Sequence, residues 1–190
     1  MSKDNGQQQT DMQLMLAFQA GNQKAFEVLY RRYKQSLMTY LYYRTNDKPL
    51  SEEIFQEVWL RIIKASQSYQ ANAQFNTYLY LIARNVQIDL YRKYKLEHLL
   101  ESLTDNEPAL EVCDYQPNPA KQAQLDQATE QIKLCLDVLP NEQKDIFLLR
   151  EETGLSLPEI ASLIDLPFET VKSRLRYALT KLRQCLADYY

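Results

Sequence analysis

The sequence predicts an all-α protein: two small helical domains joined by a flexible acidic linker, the C-terminal one containing a helix-turn-helix. Three observations predict it. Leu, Gln, Ala, Lys, Arg and Glu are plentiful while only three Gly occur in 190 residues, a composition that favours helix. No run of alternating apolar and polar residues marks a strand. Residues 99–122, which hold Pro108, Pro117 and Pro119 among acids and polar residues, separate two stretches of helical periodicity.

In chain order, residues 1–10 are polar and read as a disordered tail. A first helix covers 11–20 and stops near Gly21. A second starts after Asn22, buries Phe26, Leu29, Tyr30, Tyr33, Leu37 and Leu41, and ends near 41. Residues 45–50 form a turn marked by Asn46, Asp47 and Pro49. Ser51 caps a third helix to about 65. A loop at 69–74 precedes a long helix that opens at Phe75 or Asn76 and runs to about 99. These helices make up a first domain, 11–98. The second domain, 123–190, has a helix at 123–139 stopped by Pro140, another at 141–152 stopped by Gly154, and then the helix-turn-helix.

That last motif is the most specific one. Ser156 caps a short helix, and Glu159 three residues on completes a capping box. Ile160, Ala161, Leu163 and Ile164 give it an apolar side. Asp165 stands at the turn, where a left-handed backbone is expected and Asp tolerates it. Pro167 suits the first turn of the next helix. There Val171, Leu175, Ala178, Leu179, Leu182 and Leu186 recur at helical spacing and form a buried stripe. Lys172, Ser173, Arg176, Thr180 and Arg183 fall mostly on other faces. A helix placed this way can enter the DNA major groove. A plain amphipathic helix pair with a solvated basic side has the same pattern.

Two helices in the first half carry further signals. In 51–64, Ile54, Val58, Arg61 and Ile62 share one face, while Phe55, Trp59 and Ile63 lie on an adjacent one. Such a helix is central to a core or lends a face to a partner. In 75–95, Leu79, Ile82, Val86 and Leu90 read as buried, while Phe75, Tyr78, Tyr80, Arg84, Asn85, Arg92 and Lys93 include exposed candidates, aromatic rings beside basic and amide side chains. That mixture suits single-stranded nucleic acid, where bases stack on rings and cations follow phosphates; a tyrosine-rich core helix gives the same composition.

Composition excludes several classes. No stretch reaches the length of a membrane span, and the N-terminus lacks a signal-peptide core, so a cytoplasmic protein is expected. Cys113, Cys135 and Cys185 form no CxxC pair and no zinc set, and read as buried or incidental thiols in a reducing compartment. With His98 as the only histidine, no metal site is expected; no cofactor motif, Gly-rich phosphate loop or GxSxG elbow is present. The net charge of −3 is unevenly distributed: residues 97–120 hold six acids and no Lys or Arg, while 172–183 hold five bases and no acid. DNA binders that act alone usually carry a basic excess, so this balance fits a weak solitary binder that works with a larger partner.

The runs AFEVLYRRY (25–33), EIFQEVWLR (53–61) and FNTYLYLIARNVQID (75–89) resemble the second conserved domain of bacterial RNA polymerase sigma factors. The runs LPNEQKDIF (139–147) and TVKSRL (170–175) resemble their fourth domain. In this order and spacing the chain, over about residues 12–187, looks like an extracytoplasmic-function (ECF) member of the sigma-70 family. The resemblance implies a promoter-specificity subunit, not an enzyme. It implies that Glu53, Gln56, Glu57 and Trp59 dock on the β′ clamp helices of core RNA polymerase. It further implies that the segment 70–85, with Phe75, Asn76, Tyr78, Arg84 and Asn85, captures an unpaired base of the −10 element, and that Arg92 and Lys93 follow the backbone. The recognition helix, with Phe168, Glu169, Thr170, Lys172, Ser173, Arg174 and Arg176, would read the −35 element. The β flap is a second implied polymerase contact, the linker would lie near the RNA exit path, and an anti-sigma factor is implied by family habit.

The sequence departs from the family pattern at Glu53, where Asp is common, at Tyr78 for Trp, and at Leu81 for Arg. Residues 70–74 lack the frequent Arg-Gly, and Asp165 and Glu169 stand where Gly is frequent. These departures bear on promoter specificity rather than on fold. A dimeric helix-turn-helix regulator acting alone, and a sigma-like adapter that binds only proteins, are the competing readings.

Overall fold

A computed structural model describes residues 9–70, 74–101 and 122–187, and side chains within 9–70, 74–94 and 130–187. The tail at 1–8, the loop centre at 71–73 and the linker at 102–121 lie outside the described residues, and Cys113 with them. The described chain is all-α: α1 (Asp11–Gln19), α2 (Gln23–Thr45), α3 (Lys48–Ala65), a 3₁₀ turn (Ser66–Ser68), α4 (Phe75–Glu101), α5 (Gln122–Asp137), α6 (Asn141–Thr153), α7 (Leu157–Ile164) and α8 (Phe168–Ala187).

Local chemistry sets most boundaries. Thr10 and Gln13 form a capping box at α1, and Gly21 takes φ +98° between α1 and the Asn22 cap of α2. Three boundaries differ from the sequence expectation. Helix α2 continues past 41 to Thr45 and ends on Asn46 in the left-handed region, φ 55°; its last turn is held by contacts to the C-terminal half. Asp47, not Ser51, caps α3: its carboxylate accepts from Leu50 N at 2.9 Å, and Pro49 fits the first turn. Ser51 is a buried interior residue whose hydroxyl lies 2.8 Å from that of Thr45. Helix α5 ends at Asp137, two residues short of the expected end.

The helix-turn-helix forms as read. Ser156 and Glu159 make the capping box of α7, and Asp165 is left-handed at φ 55°. Pro167 sits just before α8 rather than in its first turn, and its carbonyl accepts from Thr170 N at 2.9 Å.

The N-terminal half buries Leu14 and Met15 of α1, Leu29, Leu37 and Leu41 of α2, Ile54, Val58 and Ile62 of α3, and Leu79, Ala83 and Val86 of α4. The C-terminal half buries Leu136, Ile146, Leu149, Ile160, Val171 and Ala178. Each such aliphatic side chain larger than Ala contributes about 1.5–3 kcal/mol relative to exposure.

The halves also pack on each other, chiefly α2 on α6 with α4 touching α7. Asp145 of α6 accepts from the Tyr40 hydroxyl at 3.0 Å and from Arg44 Nε at 3.2 Å, both on α2. Asn46 donates to Asp137 at 3.3 Å.

The cysteine expectation is corrected. Cys135 of α5 and Cys185 of α8 form a disulfide with Cα atoms 5.7 Å apart and a sequence separation of 50. Folding joins two positions that no local spacing connects.

Buried tyrosines give the fold an alkaline limit. Burial raises Tyr33, Tyr40 and Tyr80 above their ordinary value near 10, with Asp11 adding to Tyr33 and Asp145 to Tyr40; Tyr80 is pushed up to about 12. Their folded forms therefore keep protons that the unfolded chain loses, so their contribution is intact below pH 10 and falls above it. We expect the urea midpoint to decline between pH 10 and 12, with Tyr80 alone accounting for about 2 kcal/mol. Tyr80→Phe should flatten part of that decline.

Candidate protein and nucleic-acid interfaces

Helices α3 and α4 enclose a cleft of about 340 Å³ lined by Glu53, Gln56, Glu57, Leu60, Arg61, Asp89, Leu90 and Lys93. Arg61 is fixed at its centre, donating to Glu57 at 2.8 Å and to Asp89 at 2.9 Å. Those two hydrogen bonds, Glu57 first, raise its pKa further. Glu53 accepts from the Tyr94 hydroxyl. Beside the cleft Leu60 is 49% exposed and Ile63 42%. An acidic rim with exposed apolar neighbours is suited to a protein surface bearing basic and apolar groups. Of the expected docking residues, Glu53, Gln56 and Glu57 share this cleft. Trp59 does not: it is 5% exposed and packs against Phe26, Tyr30 and Phe55, with ring centroids 5.6, 5.0 and 6.2 Å away. It supports the helix from beneath.

Helix α4 sorts the expected −10 residues into four groups. Tyr78, Asn85 and Arg92 follow one another at seven-residue steps, forming a stripe opposite the buried Leu79, Ala83 and Val86. Phe75 is 2% exposed and packs on Tyr33, 5.3 Å between centroids, which withdraws it from direct base contact. Asn76 and Arg84 are both half-buried: Asn76 donates to the Thr153 carbonyl of the C-terminal half at 3.4 Å, and the Arg84 charge acts on Tyr40 of α2. Lys93 lines the α3–α4 cleft. Tyr78 stacks edge-on against Tyr69 at 5.4 Å, so the ring is braced.

On α8, Glu169, Lys172, Ser173 and Arg176 lie at steps of three, one and three residues along one face. Lys172 approaches Glu169 at 3.6 Å and lies over the Phe168 ring at 5.8 Å; this ammonium offsets the repulsion that Glu169 alone would present to phosphate. Arg176 lies over the Tyr177 ring at 5.2 Å. Ser173 donates to the Thr170 carbonyl at 3.0 Å, and Thr170 is half-buried. Arg174 points back to α6, 2.6 Å from Glu142, and braces the helix rather than facing outward. Sequence reading missed Arg61, Asp89 and Leu60 in the cleft; the four-residue Glu57–Arg61 spacing was the signal that could have found the pair. It also missed Asp145, whose partners lie about a hundred residues away.

Among the described residues no helix is long and apolar enough to cross a membrane, and no group of three metal-ligating side chains is assembled.

Two family models match the chain, one in each half. The model of Sigma-70 region 2 matches residues 29–97, and that of Sigma-70, region 4, matches 135–184. The ECF RNA polymerase sigma factor SigX of Bacillus subtilis is 28% identical over 162 residues, covering 85% of this chain and 84% of SigX. Among solved structures, CnrH, determined with the cytosolic domain of CnrY, superposes with a TM-score of 0.68 at 21% identity, covering 95% of this chain and 99% of that one. The sigma factor RpoE of Bartonella quintana, determined with the anti-sigma factor NepR, gives 0.66 at 18% identity, covering 86% and 98%. With both regions matched in order and relatives similar over most of its length, the chain belongs to the ECF class of the sigma-70 family.

Proposed function

We infer that this chain is a promoter-specificity subunit that binds core RNA polymerase, recognises −10 and −35 elements and supports promoter melting, the polymerase supplying the catalysis. The observation that carries this reading is the matched pair of sigma regions in one chain, one bearing the acidic α3–α4 cleft and the other an outward basic stripe on α8. We assign Glu53, Gln56, Glu57, Leu60 and Arg61 to the β′ clamp helices, Tyr78, Asn85 and Arg92 to the unpaired −10 strand, and Glu169, Lys172, Ser173 and Arg176 to the −35 major groove. Arg84 belongs to the same −10 set, and Asn76 joins it once the two halves separate. The β flap is the expected partner of the C-terminal half. The division into a tail at 1–10, a first domain at 11–98, a linker at 99–122 and a second domain at 123–190 follows from the same assignment. A cytoplasmic setting and a protein antagonist complete the reading; the antagonist is supported by the NepR complex of the related fold.

The docking assignment is tested by the double substitution Gln56→Ala with Glu57→Ala. Arg61 keeps Asp89 as a partner, so the helix should stay folded. Core-polymerase affinity is expected to fall about tenfold or more, while binding to a −35 duplex is unchanged. Full polymerase affinity in the double variant would refute the assignment.

Lys172→Ala should weaken duplex binding and lower the slope of log affinity against log salt by about 1. A titration of affinity against salt concentration reads both quantities.

A further inference from the structure

The Cys135–Cys185 pair is unused by any of the interfaces described above. Cys135 is 1% exposed, a member of the buried core as Leu136 and Leu139 are, while Cys185 on the last turns of α8 is only partly buried. Their Cα separation of 5.7 Å lies in the range a disulfide needs without backbone movement. Cys185 is nine residues beyond Arg176 on α8, about 13 Å along the helix axis, so a bond there leaves the outward stripe uncovered. We propose that Cys135 and Cys185 are a reversible redox staple, open as two thiols in a reducing compartment and closed by exchange with a small-molecule disulfide under oxidative conditions.

The unequal exposure fixes the order of events. The Cys185 thiolate attacks a small disulfide RSSR, forming Cys185–S–S–R and releasing RS⁻. The Cys135 thiolate then attacks the Cys185 sulfur, forming the protein disulfide and releasing the second RS⁻. The protein loses two protons and two electrons, and RSSR is reduced to two RSH. Cytosolic thiol pools hold most protein cysteines reduced, so the bond responds to a change in that balance. Closure restrains the unfolded chain across the sequence separation of 50 between the cysteines, a loop that contains α6, α7 and most of α8. The expected consequence is a C-terminal half that resists unfolding under oxidation and keeps its DNA-facing side.

The test uses the full chain in glutathione buffers of stepped oxidised-to-reduced ratio. Alkylation and peptide mass analysis report which cysteines pair, and thermal unfolding reports stability. The expected results are a Cys135–Cys185 cross-linked peptide, free Cys113, and a C-terminal melting transition about 10 °C or more higher in the oxidised form. Cys185→Ser, at a partly buried position, should fold and lose the shift; Cys113→Ser should keep it. Pairing through Cys113, persistence of Cys185 as a mixed disulfide without closure, or equal melting of the oxidised and reduced forms would overturn the proposal.

Discussion

Trp59→Ala is expected to destabilise the N-terminal half by about 3–5 kcal/mol, the cost of truncating a large aromatic in a closed core. The indole is 5% exposed and touches three rings, those of Phe26, Tyr30 and Phe55. Aromatic pairs of this kind add about 0.5–1.5 kcal/mol each beyond area burial. Domains of this size have total stabilities of about 5–15 kcal/mol, so the variant should unfold at a much lower urea concentration. Leu60→Ala is the matching control. Leu60 is 49% exposed beside the cleft, and a surface truncation of this kind changes stability by no more than about 0.5 kcal/mol, while polymerase affinity should fall. Urea unfolding and polymerase binding, measured on both variants, separate a residue that holds the docking helix from one that contacts the partner. Unchanged stability in Trp59→Ala would contradict the core placement.

The second large effect concerns the contact between the halves. Asp145→Ala removes the acceptor of the buried Tyr40 hydroxyl and the counter-charge of Arg44 in one step. Breaking a mostly buried charge pair while leaving its partner in place costs about 3–5 kcal/mol. Separation of the halves relieves that cost, because both orphaned groups then reach water. The variant is therefore expected to expand, with a larger radius of gyration by small-angle scattering. Asn76, released from the Thr153 carbonyl, becomes available, so the free chain should bind a single-stranded −10 oligonucleotide more tightly, about tenfold or more if half of the cost goes into opening. Asp145→Asn keeps an acceptor for Tyr40 and should lie between the two. A radius of gyration equal to that of the parent chain would contradict this account of the contact.

What the sequence made legible was the chemistry that acts over a few residues. The Ser156–Glu159 box, the left-handed Asp165 and the stop at Gly154 all depend on neighbours within one turn, and they stand where expected. The start of α3 was missed because Asp47 and Ser51 are both competent caps four residues apart, and Pro49 favours the earlier one. The end of α2 was missed because Tyr40 and Arg44 satisfy their polar groups on Asp145, 105 and 101 residues away. The same limit applies to the site. The mixture of aromatic, basic and amide side chains along α4, with the family resemblance, identified a chemically apt set, but only packing divides Tyr78, Asn85 and Arg92 from Phe75 in the core and Asn76 at the other half. Arg174 reads as one more cation on a basic helix until Glu142 is seen beside it. The two cysteines, 50 residues apart, carry no local sign of each other.

The most direct measurement is run-off transcription with bacterial core polymerase and a library of genomic fragments, with and without this chain. The account predicts defined start sites that appear only when the chain is present, are lost with Gln56→Ala plus Glu57→Ala, and share elements near −10 and −35. Duplex DNA binding by the chain alone, with no new start sites, would contradict it and point to a regulator that acts without joining the polymerase.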